Sequence, residues 1–285
     1  MSRSQLAPGV EVVAVDGRGL AVRTPDGEFF RVNTGRADAD ALRSRLTGAD
    51  LPGTDRELDR LVAAFAEAGY LTEDDTSAED GTPAAGTAPA AWPAGRRHVL
   101  LLGDPVLTEP LARLLRAAGA APRAGTPGED IAPDVAAVVW CLDGPVPPGL
   151  WDDADRLPER GVAWQRCHRE GWQAYVEPVA AAAGDVTSAH LRARRLAATP
   201  AHRELAAYWN GPRTGGAPVR LTAPAAALLA ALLADDLARW ATDAPGTGAL
   251  PARRRLRRVD LRTLTVTEHP VLPVPDVARL PVTAR

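Results

Sequence analysis

Apolar and polar positions alternate in three short runs near the start of the chain. The runs cover residues 10–15, 20–24 and 28–33, and the pairs Asp16-Gly17 and Asp26-Gly27 separate them. Alternation of this kind is typical of half-buried strands, and Asp-Gly is a strong signal for a tight turn between two strands. The pattern predicts a three-stranded antiparallel sheet.

The apolar spacing changes to a helical period after this sheet. Residues 38–46 predict a short helix, and Thr54 with Glu57 predicts a capping box at the start of a further helix. That helix ends at Gly69, and its apolar face consists of Leu58, Leu61, Val62, Phe65 and Ala68. Three strands followed by helices predict an α+β, winged-helix-like N-terminal domain.

Beyond residue 96 the apolar positions form unbroken runs, which are typical of buried parallel strands. The predicted strands cover residues 97–103, 134–143 and 161–165, and the predicted helices cover residues 108–118, 188–198 and 223–242. Residues 255–261 and 264–269 predict a closing hairpin ahead of a proline-rich tail. The alternation of strands and helices predicts an α/β, Rossmann-like domain with a doubly wound sheet.

A segment of different composition separates the two predicted domains. Residues 72–96 begin with acids and continue with alanine, glycine and proline, and Trp92 is their only large apolar residue. Such a composition predicts a flexible linker. The predicted organisation is a winged-helix-like domain at residues 1–75, a linker at 76–96 and an α/β domain at 97–285.

The charge of the chain argues against a general affinity for nucleic acid or for anionic membranes. The 285 residues carry 33 arginines and no lysine against 36 acids, for a formal net charge of −3. The one strong basic run, residues 253–258, and the pair Asp235-Asp236 are interpreted as solvated surface. No apolar run reaches the roughly 18 residues of a membrane span, and the start of the chain lacks the apolar core of a secretion signal. These features predict a cytoplasmic protein.

The first strand-to-helix junction of the α/β domain is where a Rossmann-type protein binds a nucleotide phosphate. Only Gly103 of the usual glycine pattern is present there. Asp104 and Glu109 would repel phosphate, and Pro105 lacks a backbone N–H. We therefore expect no nucleotide phosphate at this junction and no bound cofactor.

The cysteines and histidines predict structural roles. Cys141 and Cys167 are expected to be buried free thiols, and His168 is expected on the strand face opposite Cys167. The five histidines lack metal-ligand spacing, so no metal site is predicted.

Three stretches of the sequence resemble the ocin-ThiF-like proteins. They are the meander PGVEVVAVDGRGLAVRTPDGEFFRVNTG, the segment Tyr175-Val176-Glu177-Pro178 ahead of Leu191-Arg192-Ala193-Arg194-Arg195-Leu196, and the C-terminal HPVLPVP. Members of that family bind the leader of a ribosomally made precursor peptide (RiPP). They are partners of YcaO cyclodehydratases in thiopeptide and other thiazole/oxazole-modified microcin (TOMM) pathways. The resemblance spans nearly the whole chain and implies an N-terminal RiPP recognition element followed by a degenerate ThiF-like domain.

The resemblance implies that the leader adds as a strand beside the third strand and packs on the last helix of the N-terminal domain. An edge strand offers unpaired backbone groups, and neighbouring apolar side chains offer pockets. The implied leader-binding residues are Phe29, Phe30, Arg31, Val32, Asn33, Leu58, Leu61, Val62 and Phe65. The extended tail is predicted to dock on the partner enzyme through His269, Pro270, Val271, Leu272, Pro273, Val274 and Pro275. Zinc-binding relatives carry cysteine pairs that this chain lacks, so zinc is not implied.

The leading hypothesis is a partner protein without catalysis of its own. It binds a precursor peptide and presents it to an ATP-dependent YcaO cyclodehydratase for azoline or thiazole formation. A homodimer is left open, and neither nucleic acid nor a membrane is expected as a partner. One alternative is a nucleotide-dependent ThiF-type adenylating enzyme or an oxidoreductase, and stabilisation by ATP or NAD would favour it. Another is a winged-helix DNA-binding regulator, which salt-sensitive binding to duplex DNA would favour.

Overall fold

The computed structural model describes residues 4–7, 9–35, 37–47, 55–73, 92–243 and 250–275, with only the backbone described at residues 4, 5, 72 and 73. In this part of the chain the strands form three sheets. The strands are β1 (Ser4–Leu6), β2 (Glu11–Val15), β3 (Gly19–Arg23), β4 (Phe29–Val32), β5 (Leu71–Glu73), β6 (His98–Gly103), β7 (Ala121–Ala124), β8 (Ala137–Leu142), β9 (Ala163–Glu170), β10 (Gln173–Val176), β11 (Arg213–Gly215), β12 (Arg255–Asp260) and β13 (Thr265–Pro270). The helices are α1 (Ala39–Leu46), α2 (Arg56–Glu67), α3 (Pro105–Ala117), α4 (Ser188–Ala197), α5 (His202–Asn210) and α6 (Ala223–Thr242).

A four-stranded antiparallel sheet is the centre of the N-terminal part. Its strand order is β11-β2-β3-β4, so the predicted meander is confirmed as β2, β3 and β4. The fourth strand, β11, comes from the second half of the chain and pairs with β2. It was not predicted because its three residues, Arg-Thr-Gly, are too few to show an alternating pattern. A separate two-stranded sheet pairs β1 with β5.

Helices α1 and α2 begin behind aspartates whose carboxylates accept hydrogen bonds from the first turn. Asp38 accepts from the Asp40 N–H at 2.7 Å, and Asp55 accepts from the Glu57 N–H at 2.9 Å. The predicted cap at Thr54 lies outside the described residues. Both helices bury their apolar faces against the small sheet, in a core formed by Val12, Leu20, Val22, Leu42, Leu46, Leu58 and Phe65.

A seven-stranded sheet forms the second part, in the order β13-β12-β10-β9-β8-β6-β7. The neighbours β7, β6, β8 and β9 run parallel, and β10, β12 and β13 run antiparallel to their neighbours. Helices α3 and α6 pack together on one face. The chain is thus an α/β protein with a Rossmann-like parallel core.

The opposite face of the large sheet is covered by α4 at β10 and β12, where Leu191 packs against Tyr175 and Leu256, and by an irregular segment at β6 and β8. Leu100 and Trp140 pack there against Trp151 and Leu157, which belong to the connection between β8 and β9. That connection contains a 3₁₀ helix, Ala154–Arg160, where the doubly wound prediction expected an α-helix. Four prolines in the connection explain the difference, because proline interrupts the hydrogen bonds of an α-helix.

The structure corrects the interpretation of the arginine-rich run and the acidic pair as solvated surface. Arg255 and Arg257 on β12 are buried and donate to Asp236 of α6 at 2.5 and 2.7 Å, and Asp236 is 0% exposed. Asp235 is half-buried and accepts from Arg257 at 3.0 Å. These residues are not solvated surface, because α6 lies against this strand and supplies the counter-charges that buried guanidinium groups need.

The two parts of the chain share an apolar contact and hydrogen bonds. Val13 of β2 packs against Leu205 and Tyr208 of α5 on the sheet face opposite α1 and α2. Arg23 of β3 is buried and donates to the backbone carbonyl of Glu170 on β9 at 3.1 Å. The predicted linker is described only from Trp92 onward, and Trp92 is buried in the core of the large sheet.

Candidate functional site

The outer edge of β4 is open in the described part of the chain, where β4 is the last strand of its sheet. The Thr24 N–H donates to the Glu28 carbonyl at 2.9 Å. Hydrogen-bonded pairs alternate along an antiparallel ladder, so Phe30 also directs its backbone groups towards β3. The N–H and C=O groups of Phe29 and Arg31 therefore point to the open edge.

Apolar side chains that are only partly covered lie on the helix-covered face of the sheet. Phe30 lies there opposite Val22 of β3 and keeps 49% of its surface exposed. Val32, Leu61 and Val62 are partly buried against the same core. We call Phe30, Val32, Leu61 and Val62 the β4 groove, because these predicted leader-binding side chains are apolar, belong to the helix-covered side of the sheet and are not fully covered.

The other predicted leader-binding residues have different surroundings. Leu58 and Phe65 are 6% exposed and fill the core, so they support the groove from beneath. Phe29 lies on the opposite sheet face and meets Tyr208 edge-on, with 6.2 Å between ring centroids. Arg31 shares that face and is exposed, and the Asn33 side chain accepts a hydrogen bond from the Gly35 N–H at 3.2 Å.

A cleft of about 360 Å³ lies between the small sheet, α4 and the β12–β13 hairpin. We call it the arginine cleft. Its lining consists of Arg23, Gly27, Phe29, Glu170, Tyr175, Leu191, Arg194, Arg195, Ala198, Thr199, Leu205, Leu256, Arg258, His269 and Val271. The cleft begins at the same end of β4 at which the open edge begins, because Phe29, the first residue of β4, also lines the cleft.

The floor of the arginine cleft is a buried ion pair. Arg195 donates to both carboxylate oxygens of Glu170, at 3.0 and 2.6 Å, and the Trp209 indole N–H donates to the same carboxylate at 2.8 Å. Burial raises the pKa of Glu170, but the charge of Arg195 and the hydrogen bond from His168 outweigh it, so the pKa lies well below its usual range. Glu170 is therefore ionised, and its charge is already balanced by the protein.

His168 continues this buried cluster on the same strand. Its ring nitrogens lie 3.5 Å from Glu170 and 3.3 Å from Glu177, and its ring stacks on Tyr175 with 5.1 Å between centroids. Burial lowers the pKa of His168, but the two carboxylates outweigh this effect and raise it. Arg166 holds Glu177 from the other side, with its Nε 2.6 Å from the carboxylate. A cavity of about 20 Å³ beside the cluster has room for about one water molecule.

The predicted docking tail lies along the rim of the arginine cleft. His269 and Pro270 belong to β13, and the Val271 N–H donates to the Arg254 carbonyl at 2.8 Å while its side chain is buried. Leu272 is 63% exposed. The carbonyls of Leu272 and Pro273 accept hydrogen bonds from Arg194 at 3.2 and 2.9 Å. Val274 and Pro275 continue the chain without regular secondary structure.

The first strand-to-helix junction holds an aspartate where a nucleotide binder has room for phosphate. The Asp104 carboxylate accepts from the Asp143 N–H at 2.6 Å and so joins the carboxyl ends of β6 and β8. Pro105 occupies the first position of α3. Gly103 has a φ of 101°, and a Cβ there would overlap the Cys141 carbonyl oxygen. The absence of a side chain at Gly103 therefore allows β6 and β8 to lie close together at this point.

The two cysteines are free and buried, as predicted. Burial raises the pKa of Cys141 to about 12 and that of Cys167 well above its usual value, so neither thiol forms a nucleophilic thiolate at neutral pH. Cys167 lies in the core beneath α6 and His168 on the other face of β9, as predicted. Among the described residues, no cluster of His, Cys, Asp or Glu could hold a metal ion, and no helix has both the length and the apolar character needed to cross a membrane.

The sequence interpretation missed the cluster around Glu170. It ended the third strand at Gln165, whereas β9 continues through Arg166, His168 and Glu170. The signal was present in the sequence, since these three side chains occur at every second position and so share one strand face.

The sequence matches no known family model and no curated protein sequence. Among solved structures, the chain is similar to a chain of the E. coli microcin synthetase McbBCD complex, with 11% identity, a TM-score of 0.47, and coverage of 96% of this chain and 99% of that chain. The same complex with pro-MccB17 bound gives 10% identity, a TM-score of 0.48, and coverage of 96% and 98%. A heterocyclase in complex with substrate and cofactor gives 17% identity, a TM-score of 0.43 and coverage of 96%, and this chain spans 39% of its length.

Proposed function

We propose that the chain binds the leader of a ribosomally made precursor peptide at the open edge of β4 and presents that peptide to a YcaO cyclodehydratase in a TOMM pathway. In this proposal the N-terminal part is a RiPP recognition element of the winged-helix type, and the α/β part is a scaffold without chemistry of its own. The observation that carries the proposal is the open edge of β4 beside the exposed ring of Phe30. The sequence resemblance supports it independently.

Strand addition explains how this edge would recognise a peptide. The outward N–H and C=O groups of Phe29 and Arg31 offer backbone hydrogen bonds to an extended segment of almost any sequence. Side chains on one face of the added strand would then lie over the β4 groove. Backbone pairing fixes the register, and the groove selects an apolar side chain.

Burial of a peptide side chain in the β4 groove would contribute measurably to the free energy of binding. Burying one apolar side chain of the peptide against Phe30 and Leu61 contributes about 1.5–3 kcal/mol. This free energy corresponds to about one to two decades of affinity. The groove therefore accounts for selectivity among peptides that all pair with the same backbone.

A proline substitution on β4 tests strand addition directly. The Arg31 N–H points to the open edge, so Arg31→Pro removes one donor for the added strand and leaves the pairing of β4 with β3 intact. We expect about tenfold weaker leader binding than for Arg31→Ala, which removes the same side chain but keeps the N–H. The probe is a fluorescein-labelled leader peptide, taken from the Cys/Ser/Thr-rich reading frame that the proposal expects beside the gene, and binding is measured by fluorescence polarisation.

Two further variants check the geometry. Phe30→Asp should remain folded, because the ring is half exposed, and should weaken leader binding by placing a charge in the groove. Phe30→Pro should destabilise the sheet, because the Phe30 N–H bonds to β3. Equal leader affinity for the folded Arg31→Pro and Arg31→Ala variants would contradict strand addition at this edge.

The enzyme alternative has its own test. A nucleotide site at the first strand-to-helix junction would have to displace the hydrogen bond between Asp104 and the Asp143 N–H. We expect ATP and NAD to leave the melting temperature of the full chain unchanged. A shift of several degrees with either nucleotide would favour the adenylating enzyme or the oxidoreductase.

A further inference from the structure

We infer that the arginine cleft binds an acidic segment of the precursor peptide, immediately beside the segment that pairs with β4. The inference rests on the proposed leader binding and adds to it the chemistry of the neighbouring stretch of peptide.

The charge at the rim of the cleft is the first argument. Arg194 donates to the backbone carbonyls of Leu272 and Pro273. Arg258 donates to the backbone carbonyl of Asp26 and to the side-chain amide oxygen of Gln173. Neither arginine forms an ion pair with a carboxylate among the described residues. Carbonyl partners position a guanidinium group without neutralising it, so the rim keeps two positive charges.

The floor of the cleft contributes little to this attraction. Arg195 and Arg23 both face the carboxylate of Glu170, which is buried and ionised. The positive charge that an entering anion would meet is therefore at the rim of the cleft. It belongs to Arg194 on α4 and to Arg258 on β12. An extended segment with several carboxylates can reach both walls, which is the reason to assign an acidic peptide to this cleft.

Continuity with the open edge is the second argument. Gly27 and Phe29 line the cleft, and β4 begins at Phe29. A peptide that pairs with Phe29 and Arg31 and extends beyond the Phe29 end of β4 runs towards Gly27, where the cleft opens. Arg31 lies on the same sheet face as Phe29 and extends the positive surface along that path.

The position of the tail is consistent with a role in presentation. Val271 lines the cleft, and Arg194 holds the two tail residues that follow it. A peptide segment in the cleft would thus lie between the leader-binding edge and the segment predicted to dock on the partner enzyme.

Two labelled decapeptides test the inference on the full chain at low salt. One alternates Glu and Gly, and the other alternates Gln and Gly, so they differ only in charge. We expect measurable binding of the Glu peptide alone, and about tenfold weaker binding to the double variant Arg194→Gln/Arg258→Gln. The control is Arg113→Gln/Arg116→Gln, which makes the same change in net charge at exposed positions of α3 and should keep the wild-type affinity. Circular dichroism confirms folding, and Arg194→Gln alone, at an exposed side chain, repeats the test if the double variant unfolds.

The outcomes separate this inference from the proposed function. Equal weakening in the two double variants, the absence of binding, or displacement of the Glu peptide by millimolar phosphate would overturn the acidic-peptide assignment. If the proposed leader binding fails instead, the labelled leader will bind Arg31→Pro and Arg31→Ala equally, while the response of the Glu peptide to Arg194→Gln/Arg258→Gln persists.

Discussion

Individual charged residues determine much of the interior of this protein. Arg166, His168 and Glu170 occupy alternate positions of one buried strand, where an isolated charge would be strongly unfavourable. Each of them is compensated by an opposite charge, so the penalty for burial is offset. Loss of one member of this network would leave a buried charge without its partner, which is strongly destabilising.

The protonation of His168 predicts a pH dependence of stability. The folded-state pKa of His168 is raised, so its contribution is fully present below the unfolded value of 6.5 and is lost as pH rises through the folded value. We expect His168→Gln to lower the melting temperature more at about pH 6 than at about pH 9. His98→Gln, at an exposed histidine, is the control and should show a small effect at both pH values. A loss that is the same at both pH values for His168→Gln would show that its charge does not stabilise the fold.

The neighbouring acids Asp235 and Asp236 provide a second residue-scale prediction. Asp236→Ala leaves the buried Arg255 and Arg257 without their closest counter-charge, and we expect a loss of about 3–5 kcal/mol in the free energy of unfolding. Asp235→Ala removes a half-exposed partner and should cost about 1 kcal/mol or less. Urea unfolding of the two variants measures the difference. Similar losses would mean that burial does not distinguish the two carboxylates.

At the scale of elements, the small sheet has two edges with different surroundings. The edge at β11 is formed by a strand from the second half of the chain, which pairs with β2, and α5 packs on the same strand β2. The edge at β4 is open in the described part of the chain. Both outer strands, β11 and β4, thus have an unpaired outer edge in the described residues, and the proposed peptide binding is placed at β4 because the exposed ring of Phe30 lies on that strand.

The pairing of β11 with β2 gives an element-scale prediction. The Gly216 N–H donates to the Val10 carbonyl, and alternation along the ladder assigns the next inward N–H to Thr214. Thr214→Pro should therefore lower the free energy of unfolding by about 1–3 kcal/mol. Arg213→Pro, whose N–H points outward, should match Arg213→Ala in a thermal melt. If both proline variants destabilise equally, the assigned register of β11 is wrong.

At the scale of the whole molecule, the arginine cleft brings together the open edge, α4 and the C-terminal hairpin. Its lining comes from residues as far apart in sequence as Gly27 and Val271. This arrangement places the proposed leader edge and the proposed docking tail on one side of the molecule, with a positively charged cleft between them. Binding of the peptide and binding of the partner enzyme can therefore occur side by side.

Truncation of the tail tests the proposed docking. A chain ending after Val271 keeps β13 and the buried Val271 side chain, so we expect an unchanged fold, unchanged leader affinity and loss of turnover by the partner cyclodehydratase. A chain ending after Glu268 also removes part of β13 and should melt at a lower temperature. Turnover that survives the truncation after Val271 would assign the tail a purely structural role.

Elements with a local signal in the amino-acid sequence were predicted correctly. The alternation in β2, β3 and β4, the helical period of α2 and α6, and the apolar run of β6 each lie within about 20 residues of chain, and the structure has all of them. The same holds for the closing hairpin and for the buried thiols. Local spacing decides such features because a strand or an amphipathic helix needs its apolar residues on one face.

Which charges are buried and which apolar residues stay accessible depends on contacts between residues that are distant in sequence. Arg257 and Asp236 are 21 residues apart, and Arg23 and Glu170 are 147 residues apart, so no local pattern reveals that they neutralise each other. Leu58 and Leu61 share one apolar helix face, yet the first is core and the second borders the groove. The physical reason is the same in both cases: the cost of burying a group depends on what lies opposite it, and residues distant in sequence supply that partner.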